Sequence, residues 1–557
     1  MNYILGIDTG GTYTDAVLIT KEGHKIVDKA KAFTTHEDLT KGIGKCIDML
    51  EHADCSEITE VHISTTLALN SVLERKFDKI GLVQIDRAIE ADPPANYAAV
   101  MKDPFYGQRT HNCGETLPAI LDIQKKFANN VEYIIVTSPS KSRDNWREHI
   151  FAEQIAKTME LEVFCAYDYC DDDDYTYRTV AAMLTLYLMP IIDAWIKSVE
   201  DMMREKGIKA QLKIMNAMGK LISCDAARRD PLSTLFSGLA ASVTGGLKMT
   251  DIEDFLLIDM GGTSSDITRI IGRQFREVKE YSKIDKFTVR RKTMDVQTFG
   301  IGGDSYIKLS QSGRPVAGPR KAIPICVMSS SFPYLEEELK SYRRPENYEM
   351  LTAQDVDCFI GAGHYRREDL TGLEERVVKY LTGNPHNVFV IAEHFNVDPD
   401  ALHLDKLVRK GAVKLISVTP TDVLHAEGKY GAWNAAGAKA AISHMAEQMG
   451  TTMDVCIAMI RESITETLVK ACMQSIANFE KEQFDFDDSK GASFLLESFY
   501  RSNGSMLEMK FEINKPIVAL GAPAEAWLGP VAERLNTEVM IPEHCEVANA
   551  FGAAIAE

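Results

Sequence analysis

Near its start the chain reads Ile4-Leu5-Gly6-Ile7-Asp8-Thr9-Gly10-Gly11-Thr12-Tyr13-Thr14-Asp15, and far downstream it reads Leu256-Leu257-Ile258-Asp259-Met260-Gly261-Gly262-Thr263-Ser264-Ser265-Asp266. In both stretches an apolar run ends in Asp, and x-Gly-Gly-Thr, x-[Ser/Thr]-Asp and a second apolar run follow. Short, β-branched apolar runs bounded by glycine are typical of buried strands. Each stretch therefore predicts two strands joined by a turn. Their agreement along the whole pattern argues against two unrelated hairpins.

The residue types in the two turns suit an anion site. Glycine permits positive φ and has no Cβ to block a phosphate, and turn N–H groups that point into a concave loop bind anions. Hydroxyl side chains add donors. The residues predicted to bind the phosphates of a nucleotide are Thr9, Gly10, Gly11, Thr12 and Thr14 in the first copy, and Gly261, Gly262, Thr263 and Ser264 in the second.

Each copy also places two aspartates at predicted strand ends. Asp8 and Asp259 are the predicted metal residues, because Mg²⁺ prefers few direct carboxylate ligands and many waters. Asp15 and Asp266 are expected to support the loops, and all four aspartates are predicted catalytic residues. The pattern is neither the G-x-x-x-x-G-K-[ST] phosphate loop nor the G-x-G-x-x-G dinucleotide fingerprint.

Composition limits the class of protein. The chain has 557 residues and a net charge of −19, which argues against a nucleic-acid partner. Its 11 cysteines form no C-x-x-C pair, as expected for reduced thiols in a cytoplasmic protein. No signal peptide is predicted. The apolar stretch 180–196 contains Pro190 and Asp193, so it predicts a buried helix rather than a membrane span.

From residue 2 onward the order of predicted elements is β-β-β-α-β-α. This order predicts an α/β, actin-like ATPase (ribonuclease H-like) fold with two lobes, duplicated halves and an inserted subdomain. The predicted domains are a first lobe at 1–175, a second lobe at 176–310, an inserted subdomain at 311–430, and a helical and adenosine-binding C-terminal part of the second lobe at 431–557.

A further glycine-rich segment follows the second copy. In Gly300-Ile301-Gly302-Gly303-Asp304-Ser305 we predict a helix start, with Gly302, Gly303 and Asp304 at the nucleotide. Asp304 would cap that helix or contact Mg²⁺. A metal or catalytic role for His394, His403 and His425 is the weaker hypothesis, because their spacings match no standard ligand pattern.

Several longer motifs resemble the hydantoinase A / 5-oxoprolinase family, a branch of the actin-like ATPase and sugar-kinase superfamily, and the resemblance covers nearly the whole chain. They are Ser64-Thr65-Thr66-Leu67-Ala68-Leu69-Asn70-Ser71-Val72-Leu73-Glu74-Arg75-Lys76, the Tyr175–Leu188 segment with Met189-Pro190, Asp230-Pro231-Leu232-Ser233-Thr234-Leu235-Phe236-Ser237-Gly238, Thr419-Pro420-Thr421-Asp422-Val423-Leu424-His425, Gly521-Ala522-Pro523 and Ala548-Asn549-Ala550-Phe551-Gly552-Ala553.

The resemblance implies that ATP and Mg²⁺ are bound between two lobes and that a phosphoryl group is transferred to a carbonyl oxygen. Members of the family open small cyclic amides such as 5-oxoproline and hydantoins, often with a second, hydantoinase B-like subunit, and we expect an oligomer. Gly521 and Ala522 would lie under the adenosine. Thr65, Thr66, Asn70 and Arg75 are the predicted substrate residues, although Asn70 and Arg75 equally suit a helix cap and a surface salt bridge.

Two segments depart from the family pattern, at 216–242 and 300–326, so the ATP side resembles the family more closely than the substrate side. Three functions stay open. The leading prediction is an ATP-dependent hydrolase of a cyclic amide. The alternatives are a small-molecule kinase or carboxylase subunit, and a protein that activates a partner when ATP switches it. The fold alone does not decide among them.

Overall fold

The structure is a computed structural model, and it describes the residues that are named next. These are residues 2–35, 38–51, 55–74, 80–85, 97–101, 117–127, 131–138, 146–170, 172–278, 282–284, 287–344, 353–362, 370–480, 485–488, 490–500, 506 and 509–557. The chain forms two compact units. Unit 1 comprises 1–249, 275–295 and 547–557, and unit 2 comprises 250–274 and 296–546.

The strands within the described ranges are β1 (Tyr3–Thr9), β2 (Tyr13–Thr20), β3 (Ile26–Phe33), β4 (Ile58–Thr65), β5 (Ile80–Ile85), β6 (Tyr97–Met101), β7 (Tyr133–Thr137), β8 (Glu162–Cys165), β9 (Gln211–Met215), β10 (Leu221–Ser223), β11 (Phe255–Met260), β12 (Ser265–Ile271), β13 (Gln274–Phe275), β14 (Glu277–Val278), β15 (Ser282–Ile284), β16 (Phe287–Val289), β17 (Thr293–Met294), β18 (Gln297–Phe299), β19 (Ser305–Leu309), β20 (Pro315–Lys321), β21 (Ile323–Pro324), β22 (Cys358–Gly361), β23 (His386–Asn387), β24 (Val413–Ser417), β25 (Ile517–Leu520) and β26 (Val539–Met540).

The α-helices in the same ranges are α1 (Leu39–Met49), α2 (Leu67–Glu74), α3 (Leu117–Phe127), α4 (Trp146–Met159), α5 (Tyr175–Glu205), α6 (Cys224–Arg229), α7 (Ser237–Met249), α8 (Ile325–Ser331), α9 (Tyr334–Ser341), α10 (Gly372–Leu381), α11 (Val388–Phe395), α12 (Leu404–Arg409), α13 (Pro420–Ala426), α14 (Ala435–Gln448), α15 (Met453–Glu480), α16 (Lys490–Tyr500), α17 (Ala524–Arg534) and α18 (Ala548–Ile555).

The central sheet of unit 1 has the strand order β10-β9-β4-β1-β2-β3. Every residue of β1 is buried, because the strand lies between β2 and β4 and both of its faces are covered. A strand in that position reads as a continuous apolar run rather than an alternating one. The pairing of β1 with β2 is antiparallel and that with β4 is parallel.

Helix α18 completes unit 1 by packing tightly against β1 and α7. A Cβ added to Gly6 would lie 2.2 Å from the carbonyl oxygen of Ala550, and one added to Gly245 would lie 2.1 Å from that of Ala548. Glycine is needed at both positions because backbone meets backbone directly. The helix therefore belongs to the core of unit 1, although it lies far along the chain from β1.

A second sheet of unit 1, in the order β6-β5-β7-β8, is entirely parallel among its described strands. Its apolar core includes Val83, Phe127, Ile134, Phe151 and Ile155. Helices α3 and α4 supply three of these side chains. Cys165 ends strand β8 of this sheet, and His149 lies on α4.

Unit 2 repeats the first two strands of unit 1. Its main sheet has the order β13-β12-β11-β25-β26, and β18 also pairs with β12. A smaller sheet, β21-β24-β22-β23, has its own apolar core beneath α10, α11 and α12. The predicted actin-like ATPase fold is confirmed: the strand-turn-strand is duplicated, and the second half carries an additional sheet.

The division into units differs from the predicted domain boundaries. Residues 176–249 lie in unit 1, because β9 pairs in parallel with β4 and α5 packs in the same core. Residues 275–295 and 547–557 also lie in unit 1. Boundaries drawn from the order of motifs along the chain do not detect such returns of the backbone to an earlier sheet.

The predicted helix start at 300–305 is wrong. Ser305 begins β19, which pairs with β20, so Asp304 caps no helix. The loop before it is fixed by hydrogen bonds instead, since the Gly302 amide donates to Ser305 Oγ at 2.8 Å. Two adjacent glycines allow a sharp loop before a strand as readily as before a helix.

Helix α5 is the one helix among the described residues that is long and apolar enough to cross a membrane. Of its most apolar window, 67% is buried inside the protein. Its N-terminus is capped by Asp174, whose carboxylate accepts from the Thr176 amide at 2.8 Å.

Candidate functional site

The two glycine turns have the same hydrogen-bonded geometry. In unit 1 the Gly10 amide donates to the Tyr13 carbonyl at 3.0 Å, and in unit 2 the Gly261 amide donates to the Ser264 carbonyl at 2.9 Å. Asp8 pairs with Asp15 across the first hairpin, and Asp259 pairs with Asp266 across the second. The sequence repeat is therefore a structural repeat, with corresponding residues at corresponding positions.

Both turns present backbone donors. Within the described chain, the amides of Gly262, Thr263 and Ser264 donate to no protein acceptor, and neither does the amide of Gly11. A Cβ on Gly11 would meet no atom within 4 Å, so the top of this turn is open. Successive free amides in a tight turn form a concave site for an anion.

Asp8 lies at the meeting point of three elements of unit 1. Its carboxylate is 5% exposed, and its Oδ1 accepts a hydrogen bond of 2.6 Å from Ser64 Oγ at the end of β4. A Cβ on Gly238, in the first turn of α7, would lie 3.7 Å from the same oxygen. The N-terminus of a helix favours a nearby negative charge, and the Asp8 side chain lies at that of α7.

Ser237 fixes this helix terminus to β4. Its Oγ accepts from the Thr65 amide at 3.1 Å and donates to the Thr65 carbonyl at 2.9 Å. Neither Ser64 nor Ser237 is among the residues predicted from sequence. The adjacent Thr65-Thr66 and Gly238 motifs were the available signal, but nothing in the sequence shows that the two motifs meet.

Ser64→Ala tests how Asp8 is held. A hydrogen bond to a charged group contributes about 1.5–3 kcal/mol, so we expect ATP turnover to fall by about tenfold or more. Ser64 acts through Asp8 and is a positioning residue. Ser64→Thr, which restores a hydroxyl, should recover part of the loss. The measurement is steady-state phosphate release by each variant, and turnover in Ser64→Ala equal to wild type would contradict this role.

The predicted substrate residues of the 64–76 motif support the first turn. Thr66 Oγ1 donates to the Thr9 carbonyl at 3.2 Å and accepts from Asn70 Nδ2 at 3.1 Å. Thr65 is 1% exposed, and its Oγ1 accepts from the Leu67 amide at 3.0 Å. Asn70, inside α2, thus bonds the side chain of the residue that precedes this helix, and its role at a substrate stays a prediction. Arg75 lies outside the described residues.

Asp15 and Thr14 lie beneath the turn rather than at its tip. Lys31 Nζ donates to Asp15 Oδ1 at 2.7 Å. Thr14 is fully buried, and its Oγ1 lies 3.1 Å from Thr34 Oγ1. Thr34 Oγ1 in turn donates to the Gly10 carbonyl at 2.9 Å. The side chains of Thr14 and Thr34 thus support the turn from the end of β3, and Asp15 bonds to Lys31 within β3.

In unit 2, the 302–304 loop packs directly on the second turn. The Gly303 amide donates to the Gly261 carbonyl at 3.1 Å, and the Asp304 amide donates to the Gly262 carbonyl at 2.6 Å. A Cβ on Gly302 would lie 2.7 Å from both of those carbonyl oxygens. These contacts place Gly302, Gly303 and Asp304 against the second turn, and their role at a nucleotide stays a prediction.

Thr421, at the start of α13, holds this loop from its other side. Its amide and its Oγ1 both donate to the Gly303 carbonyl, at 3.0 and 2.8 Å. The neighbouring Asp422 is fully buried and accepts from the amides of Ile325 and Cys326 and from Thr419. Burial raises the pKa of this carboxyl. The Thr419–His425 motif therefore anchors the glycine loop.

Gly521 brings a third segment to the turn. Its φ is +90°, and a Cβ would lie 2.2 Å from the Met260 carbonyl oxygen and 2.9 Å from Asp259 Oδ1. Ala522 follows it and is exposed. The C-terminal end of β25 thus reaches the second turn, as parallel neighbours of β11 must. No other residue type fits this close approach without moving the backbone.

Asp266 has a raised pKa. Burial and then the charge of Asp259 raise it to about 7, against a hydrogen bond from Thr298 Oγ1 that lowers it. That bond is 2.6 Å long. Because Asp259 and Asp266 face each other on one hairpin, a negative charge on Asp259 makes Asp266 costly to ionise.

We expect this carboxyl to make folding depend on pH. A group whose pKa is raised in the folded state stabilises that state below its unfolded pKa, and the stabilisation is lost as the pH rises through about 7. From pH 5 to pH 8, wild type should therefore lose more thermal stability than Asp266→Asn, measured as the Tm at each pH. Asp251→Asn, which alters an exposed carboxylate, should behave as wild type. Equal pH slopes for Asp266→Asn and wild type would refute this assignment.

The residues present fit a nucleotide phosphate. Thr9 Oγ1 is buried and has no hydrogen-bond partner among the described residues, and both turns carry free amides beside a carboxylate at a strand end. Asp8 and Asp259 are the carboxylates with which Mg²⁺ would associate, and Mg²⁺ when bound would neutralise phosphate charge. Backbone amides and magnesium-organising carboxylates are complementary parts of such a site.

His394 and His425, two of the three histidines considered as metal ligands, have other partners. His425 Nδ1 lies 2.8 Å from the Thr421 carbonyl, and its Nε2 accepts from the Trp433 amide at 3.2 Å. His394 stacks on Tyr380 with ring centroids 4.0 Å apart. Among the described residues, these histidines form no group of candidate metal ligands.

A duplicated strand-turn-strand, with one copy in each of two units, defines the class of actin-like ATPases. The fold is shared with a nucleotide-free structure of acetone carboxylase at a TM-score of 0.65 and 17% identity, an alignment that covers 100% of this chain and 70% of the other. At that identity the likeness concerns the fold.

Comparison of the sequence with known families identifies the branch. The hydantoinase/oxoprolinase N-terminal region matches residues 4–92, and hydantoinase/oxoprolinase matches residues 178–323. Over these two segments the chain is similar to the hydantoinase/oxoprolinase family. The family resemblance deduced from the motifs is thus confirmed.

Two curated relatives show the range of this family. The alpha subunit of caprolactamase from Pseudomonas jessenii is 24% identical over 357 residues, which cover 58% of this chain and 51% of the relative. The beta subunit of acetone carboxylase from Xanthobacter autotrophicus is also 24% identical, over 366 residues that cover 57% of this chain and 50% of the relative. The chain spans about half the length of the curated relatives it matches.

Proposed function

We propose that this chain is the ATP-binding component of an enzyme that activates the carbonyl group of a small cyclic amide. The observation that carries the proposal is the duplicated turn, which has the same hydrogen bond and the same aspartate pairing in both units. A binding module for an unrelated ligand would not require the same anion-binding turn twice.

The residues have distinct roles in this proposal. The free amides at Gly11 and at 262–264 bind phosphate oxygens, and Asp8 and Asp259 organise Mg²⁺. Ser64, Ser237 and Thr421 hold the turns in place. ATP, when bound, would supply a phosphoryl group that makes an amide carbon electrophilic. Positioning and charge neutralisation are the main contributions of a protein to such a transfer.

The caprolactamase subunit among the relatives supports a lactam as the substrate. We propose that water opens the ring after the carbonyl oxygen is activated. Because both named relatives are subunits, we propose that a second subunit takes part in the complete enzyme.

A carboxylase subunit is the second candidate. It is favoured by the acetone carboxylase structure, which covers 100% of this chain at a TM-score of 0.65. In that case the activated carbonyl would belong to a ketone rather than to an amide, and no ring would open. The same turns would serve both reactions, so they do not separate the two candidates.

Phosphate release from Mg·ATP by the purified chain tests the proposal. Caprolactam, 5-oxoproline, hydantoin and acetone would each be added, and ring opening would be followed by mass spectrometry. We expect one cyclic amide to stimulate release and Asp8→Ala to abolish the stimulation, while Asp225→Ala, at an 80% exposed position, leaves it intact. Stimulation by acetone alone would favour the carboxylase, and release unaffected by every compound would refute a stand-alone amidohydrolase.

A further inference from the structure

A group of metal-ligating side chains lies in the small parallel sheet of unit 1, outside the phosphate-binding turns. His149 comes from α4, Cys165 ends β8, and Asp168 ends the 3₁₀-helix Ala166–Asp168 that follows. One ligand atom from each of the three lies within 4.8 Å of the others. Three consecutive elements of the fold thus bring one thiol, one imidazole and one carboxylate together.

The individual distances suit coordination. Cys165 Sγ lies 3.4 Å from His149 Nδ1, and His149 Nε2 lies 3.2 Å from Asp168 Oδ1. Ligand atoms around a tetrahedral zinc ion, at about 2.0–2.3 Å from the metal, lie within roughly 4 Å of one another. The sulfur and Nδ1 therefore need only a small adjustment to share one ion. The carboxylate can bind the ion or orient the imidazole through Nε2, as carboxylates beside metal-bound histidines do.

The thiol of the group is buried, whereas the imidazole and the carboxylate are about half-exposed. Cys165 is 3% exposed, whereas the side chains of His149 and Asp168 are 49% and 44% exposed. An ion could enter from the solvent side and meet the buried thiol at the end of its path. With the carboxylate as a ligand, three protein ligands and an open side would leave a position for water, the arrangement found in accessible zinc sites.

We propose that His149, Cys165 and Asp168 form a binding site for a borderline divalent transition-metal ion of the zinc class. The mixture of sulfur, nitrogen and oxygen donors selects such ions over Mg²⁺ and Ca²⁺, which prefer oxygen donors throughout. The site belongs to the 146–168 segment and is separate from the Mg²⁺ proposed for Asp8 and Asp259.

The main alternative for the same three residues is a catalytic cysteine. A nucleophilic cysteine requires a thiolate that can reach its substrate. Cys165 is nearly inaccessible, because only 3% of it is exposed. This burial disfavours a nucleophile, while a metal ion would release the thiol proton itself.

Cobalt binding tests the proposal without relying on enzyme activity. The full-length chain, freed of metal with a chelator, is titrated with Co²⁺, and the absorption of the cobalt ion and of its thiolate bond is recorded. We expect one Co²⁺ per chain, a thiolate-to-cobalt charge-transfer band, and displacement of the signal by Zn²⁺. The band should be lost in Cys165→Ser and unchanged in Cys224→Ser, which alters another partly buried thiol of unit 1.

Two further variants protect the test against a folding defect. His149→Gln and Asp168→Asn change half-exposed side chains, and we expect them to weaken cobalt binding by about tenfold or more. Zn²⁺ should also raise the Tm of wild type and not that of Cys165→Ser, because a ligand that binds only the folded state stabilises it. A charge-transfer band that persists in Cys165→Ser, or no cobalt band in a folded wild-type chain, would overturn the site.

Discussion

Asp8→Asn should lower ATP hydrolysis by about a hundredfold or more, since the removal of one preorganised charge-stabilising group typically costs this much. The substitution keeps the shape of the side chain and its ability to accept the hydrogen bond from Ser64 Oγ. What it removes is the negative charge that would organise Mg²⁺ at the first turn. The loss should therefore appear in turnover rather than in folding.

The matched control is Asp225→Asn, which also removes one carboxylate charge from unit 1 but at an 80% exposed position. Both variants would be assayed for phosphate release over a range of Mg²⁺ concentrations, with circular dichroism as the check of folding. We expect high Mg²⁺ to restore little of the activity of Asp8→Asn. Near-wild-type turnover in Asp8→Asn would exclude a metal-organising role for this residue.

Gly521→Ala should be the most destabilising single-methyl change at the site. Alanine at φ +90° is strained, which costs about 1 kcal/mol, and its Cβ would also lie 2.2 Å from the Met260 carbonyl oxygen. The backbone of β25 or of the second turn must move to relieve that contact. We therefore expect weakened ATP binding together with reduced stability.

Gly428→Ala separates the two contributions. Gly428 has φ +72°, in the same unit, and a Cβ there would meet nothing within 4 Å. It should show the conformational cost alone, so the Tm of Gly521→Ala should fall about 5 °C further than that of Gly428→Ala. If the two variants lose equal stability and bind ATP equally, the second turn is not packed as described.

The duplicated turns are the part of the site that the sequence predicts well. Local residue types determine them, because Gly10 and Gly261 each form a turn whose hydrogen bond closes three residues later. The buried strands on either side follow from their apolar runs for the same local reason. Interactions within one short segment leave a pattern that can be recognised in the sequence.

Residues that meet the turns from elsewhere in the chain leave a weaker pattern. Ser64 bonds to Asp8, and Thr421 holds Gly303, only because distant strands and helices place them there. The 300–305 segment shows the same dependence on distant parts of the chain. Its glycines predict a loop, but whether a helix or a strand follows depends on the pairing of β19 with β20.

Equilibrium binding of ATP, ADP and AMP, measured by isothermal titration calorimetry on the purified chain with Mg²⁺, tests the central claim most directly. If the two turns recognise phosphate, ATP and ADP should bind and AMP should bind at least about tenfold more weakly, the factor set by 1.4 kcal/mol of lost interaction. Absence of ATP binding, or AMP binding as tight as that of ATP, would contradict the assignment of the duplicated turns to a nucleotide phosphate site.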